Sequence, residues 1–424
     1  MQRSTRFLVV SAAGAVATAN ALRPFDRRGR FSLPVFMLGL PTSELPLQAL
    51  AFQSAGAAVL ARKGGYRGAT GRLAVATTVA SLAGLVQLYR DARHSAELLE
   101  AALTDQLGRD YRQRISPGVG LTPELPLTRQ RILLPDWTVR RRYRAARDIP
   151  YGEFGRRNLL DVWRRRDIES DGRAPVLLQV HGGAWASGRK EGQGEPLMGH
   201  LAARGWVCVA PNYRLSPRAT WPDQIVDIKR VLAWVKSTIA AHGGDPNFVV
   251  ITGGSAGGHL AALAALTPGR TEWQPGFEDA DTSVAAAVPF YGVYDLTNRT
   301  ETSRADTTAF LEKRVFKTSL TDDRARWEQA SPLAHVGPDA PPFFVLHGVN
   351  DSLVPVQQAR AFVSEFRGVS KRAVVYAELP MAQHAFDSLP SVRAHHAAHA
   401  VERFLAVVRS EQASPIVSGA HAGS

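Results

Sequence analysis

The sequence predicts an α/β protein, a mostly parallel central sheet with helices on both faces, preceded by an N-terminal helical hydrophobic extension. Three observations predict it. From about residue 131 onward, short runs rich in Val, Ile and Phe alternate with longer helical runs, the order of a parallel sheet covered on both sides. The chain has 424 residues, 45% hydrophobic and 21% charged, enough for a large core and close to ordinary globular composition. That excludes a mostly disordered, collagen-like or wholly membrane-embedded protein. The first ninety residues, by contrast, hold three apolar stretches, Phe7–Ala19, Pro46–Ala61 and Leu73–Tyr89.

The first stretch follows Arg3 and Arg6 and precedes Ala17-Thr18-Ala19, the charged, apolar, small-residue order of a secretory signal. The second and third, 16 and 17 residues long, would reach about 24 and 26 Å as helices, just short of a hydrocarbon core of about 30 Å. Between them the basic, glycine-rich Arg62–Arg72 suits the turn of a hairpin. Three arrangements fit residues 1–90: a membrane hairpin, helices packed on the α/β body in solution, and a cleaved signal followed by a soluble domain. The membrane hairpin is the expectation, and with it a membrane-associated location; cytoplasmic or secreted locations go with the other two. Both flanking loops are basic, so no orientation follows.

Residues 91–130 read as an amphipathic helix and a linker, the helix running from Asp91 to Ile115 with Leu98, Leu99, Ala102, Leu103, Leu107 and Tyr111 at helical spacing. A linker containing Pro117, Gly118, Gly120, Pro123 and Pro126 follows, and the whole segment is a possible cap. Residues 131–410 form the expected α/β domain. Its strands fall at Val176–Val180, Val207–Ala210, Phe248–Thr252, Val284–Pro289, Phe343–His347 and Ala373–Leu379. Its helices fall near Glu195–Arg204, at Asp223–Ala241, after Gly257, at Val356–Phe366 and at Ala394–Val408. Residues 411–424 are small and polar, the composition of a disordered tail.

The net charge is +13, but residues 1–150 carry 22 Lys and Arg against 10 Asp and Glu. The basicity therefore belongs to the N-terminal third, beside apolar runs and without a nucleic-acid motif. An anionic membrane surface is the expected partner, and nucleic acid is not. Cys208 is the only cysteine, so no intramolecular disulfide and no multi-cysteine metal site exists.

The chemistry is concentrated in four segments. The apolar run Phe248–Thr252 leads into Gly253-Gly254-Ser255-Ala256-Gly257 and at once into a helical pattern, the setting a nucleophile elbow requires. In such a turn the residues two positions either side of the serine nearly touch, so Gly253 and Gly257 must lack side chains. The following helix N-terminus favours developing negative charge. Upstream, Val176–Val180 ends in His181-Gly182-Gly183-Ala184-Trp185, where exposed main-chain N–H groups suit a tetrahedral oxyanion. Downstream, Phe343–His347 is followed by Asp351, and the next strand by His384. Ser255, Asp351, His384 is the chain order in which one hydrolase fold supplies nucleophile, acid and base.

On these motifs the chain resembles the α/β-hydrolase family, in particular the branch similar to hormone-sensitive lipase and the bacterial carboxylesterases and acetyl esterases. The resemblance runs from about Tyr143 to Leu405. Asn158–Val162 and Pro211–Pro217 look like the family's early strands, and Tyr291–Asp295 like the end of its sixth. It implies a serine carboxylesterase or lipase-like hydrolase acting on small acyl esters, without metal or cofactor. Ser255 would attack the acyl carbonyl as His384 removes its proton, and Asp351 would hold the imidazole. Main-chain N–H groups of Gly183, Ala184 and Ala256 would bind the oxyanion.

Ala184 stands where many lipase-like members have a third glycine, and His-Gly-Gly-x-Trp also resembles the arylformamidase-like branch, so an amidase on the same triad remains open. A non-catalytic ligand-binding protein on this scaffold is the alternative of another class. His259, Cys208, Trp185, Trp206 and Trp221 read as packing residues. His395, His396 and His399 lie at possible metal spacing with only Glu402 near them in sequence, and no metal site is expected. Asp387 competes with Asp351 as the acid but is too close to His384 in sequence. Nothing in the sequence specifies an oligomeric state.

Overall fold

The structure, a computed structural model, describes residues 2–27, 29–119, 138–169 and 172–413. Gly120, Pro123 and Pro126 of the expected linker, and the expected tail from residue 414 on, lie outside the described residues. The extension contains α1 (Arg3–Leu22), α2 (Ser32–Glu44), α3 (Pro46–Arg62) and α4 (Gly68–Leu107). The third apolar stretch and the following amphipathic segment are one helix, because residues 85–107 contain no Gly or Pro to break it. At about 1.5 Å per residue α4 is about 60 Å long. It ends at Gly108, whose φ of 86° needs no Cβ and whose N–H donates to the Thr104 carbonyl at 3.0 Å.

Helix α2 has no counterpart among the expected elements. Pro34 and Pro41 argue against a helix in isolation, but Pro34 lies in the first turn, where a missing N–H costs nothing, and the helix ends soon after Pro41.

The body carries an eight-stranded sheet: β1 (Arg144–Pro150), β2 (Leu159–Trp163), β3 (Ala174–Val180), β4 (Val207–Pro211), β5 (Gly244–Gly254), β6 (Ala286–Phe290), β7 (Phe343–Gly348) and β8 (Val374–Leu379). The spatial order is β1-β2-β4-β3-β5-β6-β7-β8. β2 is antiparallel to both its neighbours, and the six strands from β4 to β8 run parallel. The expected strand within Pro211–Pro217 is not one: β4 ends at Pro211, and the loop beyond it turns inward, with the Tyr213 hydroxyl donating to the His181 carbonyl at 3.0 Å.

Successive strand residues feed two cores, as the two-residue side-chain period requires. Val176, Leu178, Val249 and Ile251 pack on one face with α7 (Asp223–Thr238), α8 (Ala256–Leu266) and α11 (Gln357–Val369); Leu177 and Val250 pack on the other with α6 (Glu195–Ala202) and α12 (Val392–Ala413). Leu99, Leu103 and Leu107, from the C-terminal half of α4, belong to this second core. Its N-terminal half instead packs with α1 and α3, apart from the sheet. A single rigid helix thus joins the two regions.

Among the described residues, two helices, α1 and α4, are long and apolar enough to cross a membrane, and α2 with α3 forms a pair bent by 93°. Contacts between these helices combine an apolar cluster of Ala21, Leu85 and Leu88 with small polar pairs. Ser11 and Thr78 hydroxyls meet at 2.8 Å, as do Thr18 and Ser81, and Ser81 donates to Gln53 at 2.7 Å. A Cβ on Gly84 would lie 2.7 Å from Thr18, so the glycine is what lets α1 and α4 approach.

Candidate active site

Strand β5 delivers Ser255 to a sharp turn at φ 59° and ψ −123°, immediately before α8. A serine seldom occupies that region, at a cost of about 1–3 kcal/mol. Two hydrogen bonds hold it there: its N–H donates to the Phe290 carbonyl at 3.0 Å, and its carbonyl accepts from His259 N at 2.9 Å. The flanking glycines do what the turn demands. A Cβ on Gly253 would lie 2.5 Å from the Val180 carbonyl and 2.6 Å from that of Gly257, and one on Gly257 would lie 2.7 Å from the His181 carbonyl. No side chain fits at either position.

The loop after β3 lies against this turn, where a Cβ on Gly182 would be 2.6 Å from the Gly254 carbonyl. Gly183, Ala184 and Trp185 follow at φ 123°, 52° and 56°. Ala184 thus occupies the left-handed region in which a third glycine would be unstrained, and alanine adopts it at a cost. The loop is held from below. The Trp185 indole donates to His259 Nδ1 at 3.1 Å, and His259 Nε2 bonds the Ala330 carbonyl at 2.7 Å. Burial pushes His259 down to about 4, so it stays neutral and can accept from the indole. It is a packing residue that sets the loop. The Gly182 N–H is taken by Gln193 at 2.7 Å, whereas among the described residues no acceptor engages the N–H of Gly183, Ala184 or Ala256.

Asp351 and His384 come together from the loops after β7 and β8, with Asp351 Oδ2 at 2.6 Å from His384 Nδ1. Asp351 Oδ1 accepts from Leu353 N and Val354 N, each at 2.8 Å, and His347 Nε2 lies 3.3 Å from Oδ2. Burial works to raise the Asp351 pKa, but the neighbouring His384 charge and hydrogen bonds from His347 and His384 outweigh it. The carboxyl is held well below the usual range. Gln383 Oε1 ties the two loops together, accepting from Ser352 N at 2.8 Å and His384 N at 2.9 Å.

Asp387 is turned elsewhere: it accepts the hydroxyl of Tyr291. The Tyr291 ring lies 4.6 Å from that of His384, and its Cε2 would be 2.6 Å from a Cβ on Gly254. Tyr291 therefore links the histidine to the serine turn. In the sequence it is one aromatic after a strand, and neither it nor His347 and Gln383 carries a local signal.

The extension reaches the same loops. Asn350 Nδ2 donates to the Ala21 and Leu22 carbonyls at 3.0 Å each, capping the C-terminus of α1, while Arg27 donates to Asn350 Oδ1 at 2.7 Å. Ser352 Oγ donates to the Ser32 carbonyl at 3.2 Å. Glu44 pairs with Arg393, both fully buried, and accepts from Ser391 at 3.0 Å. On α2, Phe36 stands edge-on to the His384 ring at 5.8 Å between centroids.

The remaining candidates lie elsewhere. Trp185 and Trp221 flank His259, Trp206 packs on Phe248, and Cys208 is fully buried. His200, His399 and Glu402 bring one ligand atom each within 4.8 Å of one another. Glu402 is already engaged there, by His200 Nε2 at 2.7 Å and Arg204 Nε at 2.8 Å. A guanidinium on the shared carboxylate disfavours a cation at that place.

Known proteins share this architecture. A family model described as BD-FAE matches residues 160–366, a span that includes Ser255 and Asp351 and stops short of His384. A Mycobacterium tuberculosis protein named as a carboxylic ester hydrolase, LipM, is 51% identical over 98% of this chain and 94% of its own. Esterase LipQ of the same organism is 49% identical over 75% and 76%. Among solved structures, esterase 2 of Thermogutta terrifontis phosphonylated by sarin is 25% identical with a TM-score of 0.51, covering 57% of this chain and 86% of that one. A truncated carbohydrate esterase from gut microbiota, 22% identical with a TM-score of 0.52 over 62% of this chain and 98% of that one, shares the fold. The chain belongs to the α/β-hydrolase family of esterases that includes LipM and LipQ.

Proposed function

We propose that the protein is a serine carboxylesterase that cleaves acyl esters through an acyl-enzyme, with Ser255 as nucleophile, His384 as general base and acid, and Asp351 as the group that orients and stabilises the imidazolium. The observation that carries the reading is the 2.6 Å bond between His384 and Asp351, made beside a strained serine turn. Ser255 attacks the ester carbonyl as His384 Nε2 takes its proton. The oxyanion accepts hydrogen bonds from the N–H groups of Gly183, Ala184 and Ala256, each worth about 3–4 kcal/mol where such donors have been measured. His384 then returns the proton to the leaving alcohol, and water releases the acid by the reverse route. No step calls for a metal or cofactor.

The bundle of α1, α3 and the first half of α4 supports membrane association. Ser11, Thr18, Thr78 and Ser81 are buried in it, and of its large apolar side chains Phe7 and Leu85 are buried while Val9, Val16, Phe52, Val59, Leu73 and Val79 are exposed, a distribution that suits helices packed in lipid. Among the described residues, all the exposed large hydrophobic ones except Phe154 and Val369 lie within residues 9–79.

Replacing Ser255 with Ala in the purified full-length protein should lower hydrolysis of p-nitrophenyl butyrate by about a millionfold and abolish labelling by a fluorophosphonate. Undiminished turnover would sink the assignment. Faster turnover of N-formylkynurenine than of phenyl acetate would favour the amidase reading.

A further inference from the structure

Helix α2 roofs the site, and its outer side is the more apolar one: its buried residues include Ser32, Thr42, Ser43 and Glu44. Ser32, Val35 and Gly39 face the body and are buried, Phe36 contacts His384, and Leu33, Pro34, Met37, Leu38 and Pro41 are exposed. Met37 is 64% and Leu33 58% exposed. A helix whose outer face meets water carries polar residues there; this one carries none.

The rest of the extension says what meets that face. α1 has 20 residues, about 30 Å, the thickness of a hydrocarbon core. Its first residue, Arg3, bonds the Lys63 carbonyl at the basic far end, and its last, Leu22, rests on Asn350 beside Asp351. A bilayer crossed by α1 therefore has one surface level with the loops that hold Asp351 and His384. α3 runs with α1 through the bundle, and α2 leaves it at 93°, which lays α2 in the plane of that same surface. Arg23, Arg27 and Arg30 in the segment leading into it are exposed, as are Phe25 and Phe31. Cations and aromatic rings together suit an anionic headgroup layer.

We propose that α2 is an interfacial helix and that the ester reaches Ser255 from the membrane. On this view the substrate class is a membrane-resident acyl ester, its chain remaining among the lipids while its carbonyl enters beneath α2. The proposal rests on the serine-esterase reading and adds where the substrate resides.

The test uses the full chain reconstituted into vesicles of phosphatidylcholine with a minority of phosphatidylglycerol. Two substrates are compared, a diacylglycerol carried in those vesicles and water-soluble p-nitrophenyl butyrate. In the L33E/M37E double variant the ratio of vesicle to soluble hydrolysis should fall about tenfold or more, since two outward apolar side chains are replaced by charges that anionic lipid repels. A ratio unchanged within twofold would overturn the proposal, as would failure of the wild-type protein to hydrolyse the vesicle-borne ester. The milder L33Q/M37Q pair repeats the measurement if the charged variant does not fold.

Position can be read without activity. Cys208 is buried, so a Met37→Cys chain takes a thiol-reactive fluorophore at one place. Quenching by lipids carrying a headgroup-level nitroxide supports an interfacial α2, and quenching only by a water-soluble agent overturns it. If Ser255→Ala leaves butyrate hydrolysis intact, the esterase reading itself has failed. Loss there together with an unchanged ratio defeats the membrane-substrate proposal alone.

Discussion

The body and the extension are built from similar side chains arranged in opposite senses. In the body, Val176, Leu178, Val249 and Ile251 are buried. In the extension, Val9, Val75 and Val79 face outward while Ser11, Thr18, Thr78 and Ser81 are buried. Water drives apolar surface inward and thereby holds the body together. Lipid gives no such drive, so helices within it associate through close packing and hydroxyl pairs. On the proposed membrane placement of the extension, the same residue type does different work on either side of Asn350, and the candidate active site lies at the boundary.

The largest expected effect falls inside the body. Asp351→Asn should lower kcat on p-nitrophenyl butyrate by about ten-thousandfold while the share of protein in the membrane fraction stays that of wild type; a drop of tenfold or less would remove Asp351 from the mechanism. The same substitution has a stability signature. The fold holds the Asp351 carboxyl below its ordinary value. The stability its charge contributes is therefore fully present above the unfolded value of about 3.9 and is lost as pH falls through the folded one. The asparagine variant should show a shallower loss of stability in acid, measured by urea unfolding in detergent at a series of pH values.

The next effect tests the joint between the regions. Glu44→Gln leaves the Arg393 guanidinium buried without its counter-charge, which should cost about 3–5 kcal/mol in the same unfolding measurement. A cost below 1 kcal/mol would mean that α2 is not fastened to the body there. On the outside of the bundle, Val79→Arg places a charge midway along the apolar part of α4, at about 3 kcal/mol against insertion. The protein should shift measurably from the membrane to the soluble fraction on cell fractionation, and an unshifted distribution would make this surface water-facing. The smallest effect is the loss of one interhelical pair. Ser11→Ala removes the bond to Thr78 at about 0.6 kcal/mol, seen as a small loss of unfolding free energy; a loss of several kcal/mol would mark the bundle as an ordinary water-driven core.

Much of the body was legible because its signals are local. The apolar run before Ser255 and the glycines around it lie within ten residues, and a turn that tight admits few other residues. The parallel sheet could be read from the alternation of short and long runs, since strands buried on both faces need continuous apolar residues. α2 was not legible: its two prolines point away from a helix, and it is held by Ser352, Gln383 and Arg393, all more than 300 residues away. Tyr291 and Gln383 were likewise hidden, acting through Asp387 and Ser352, which are distant in sequence; His347 acts on Asp351 only four residues on, but a lone histidine at a strand end carries no motif.

The sequence by itself determined the fold class, the strained serine turn and the order in which nucleophile, acid and base would appear, because these depend on backbone geometry and on residues close in the chain. Only the tertiary structure decided that Asp351 rather than Asp387 meets His384, that one continuous helix joins the two regions, and that the apolar N-terminal segments end on the loops of the site. Such contacts are set by which surfaces meet, and a one-dimensional pattern of apolar residues does not say whether its partner is the core of its own protein or the lipid outside.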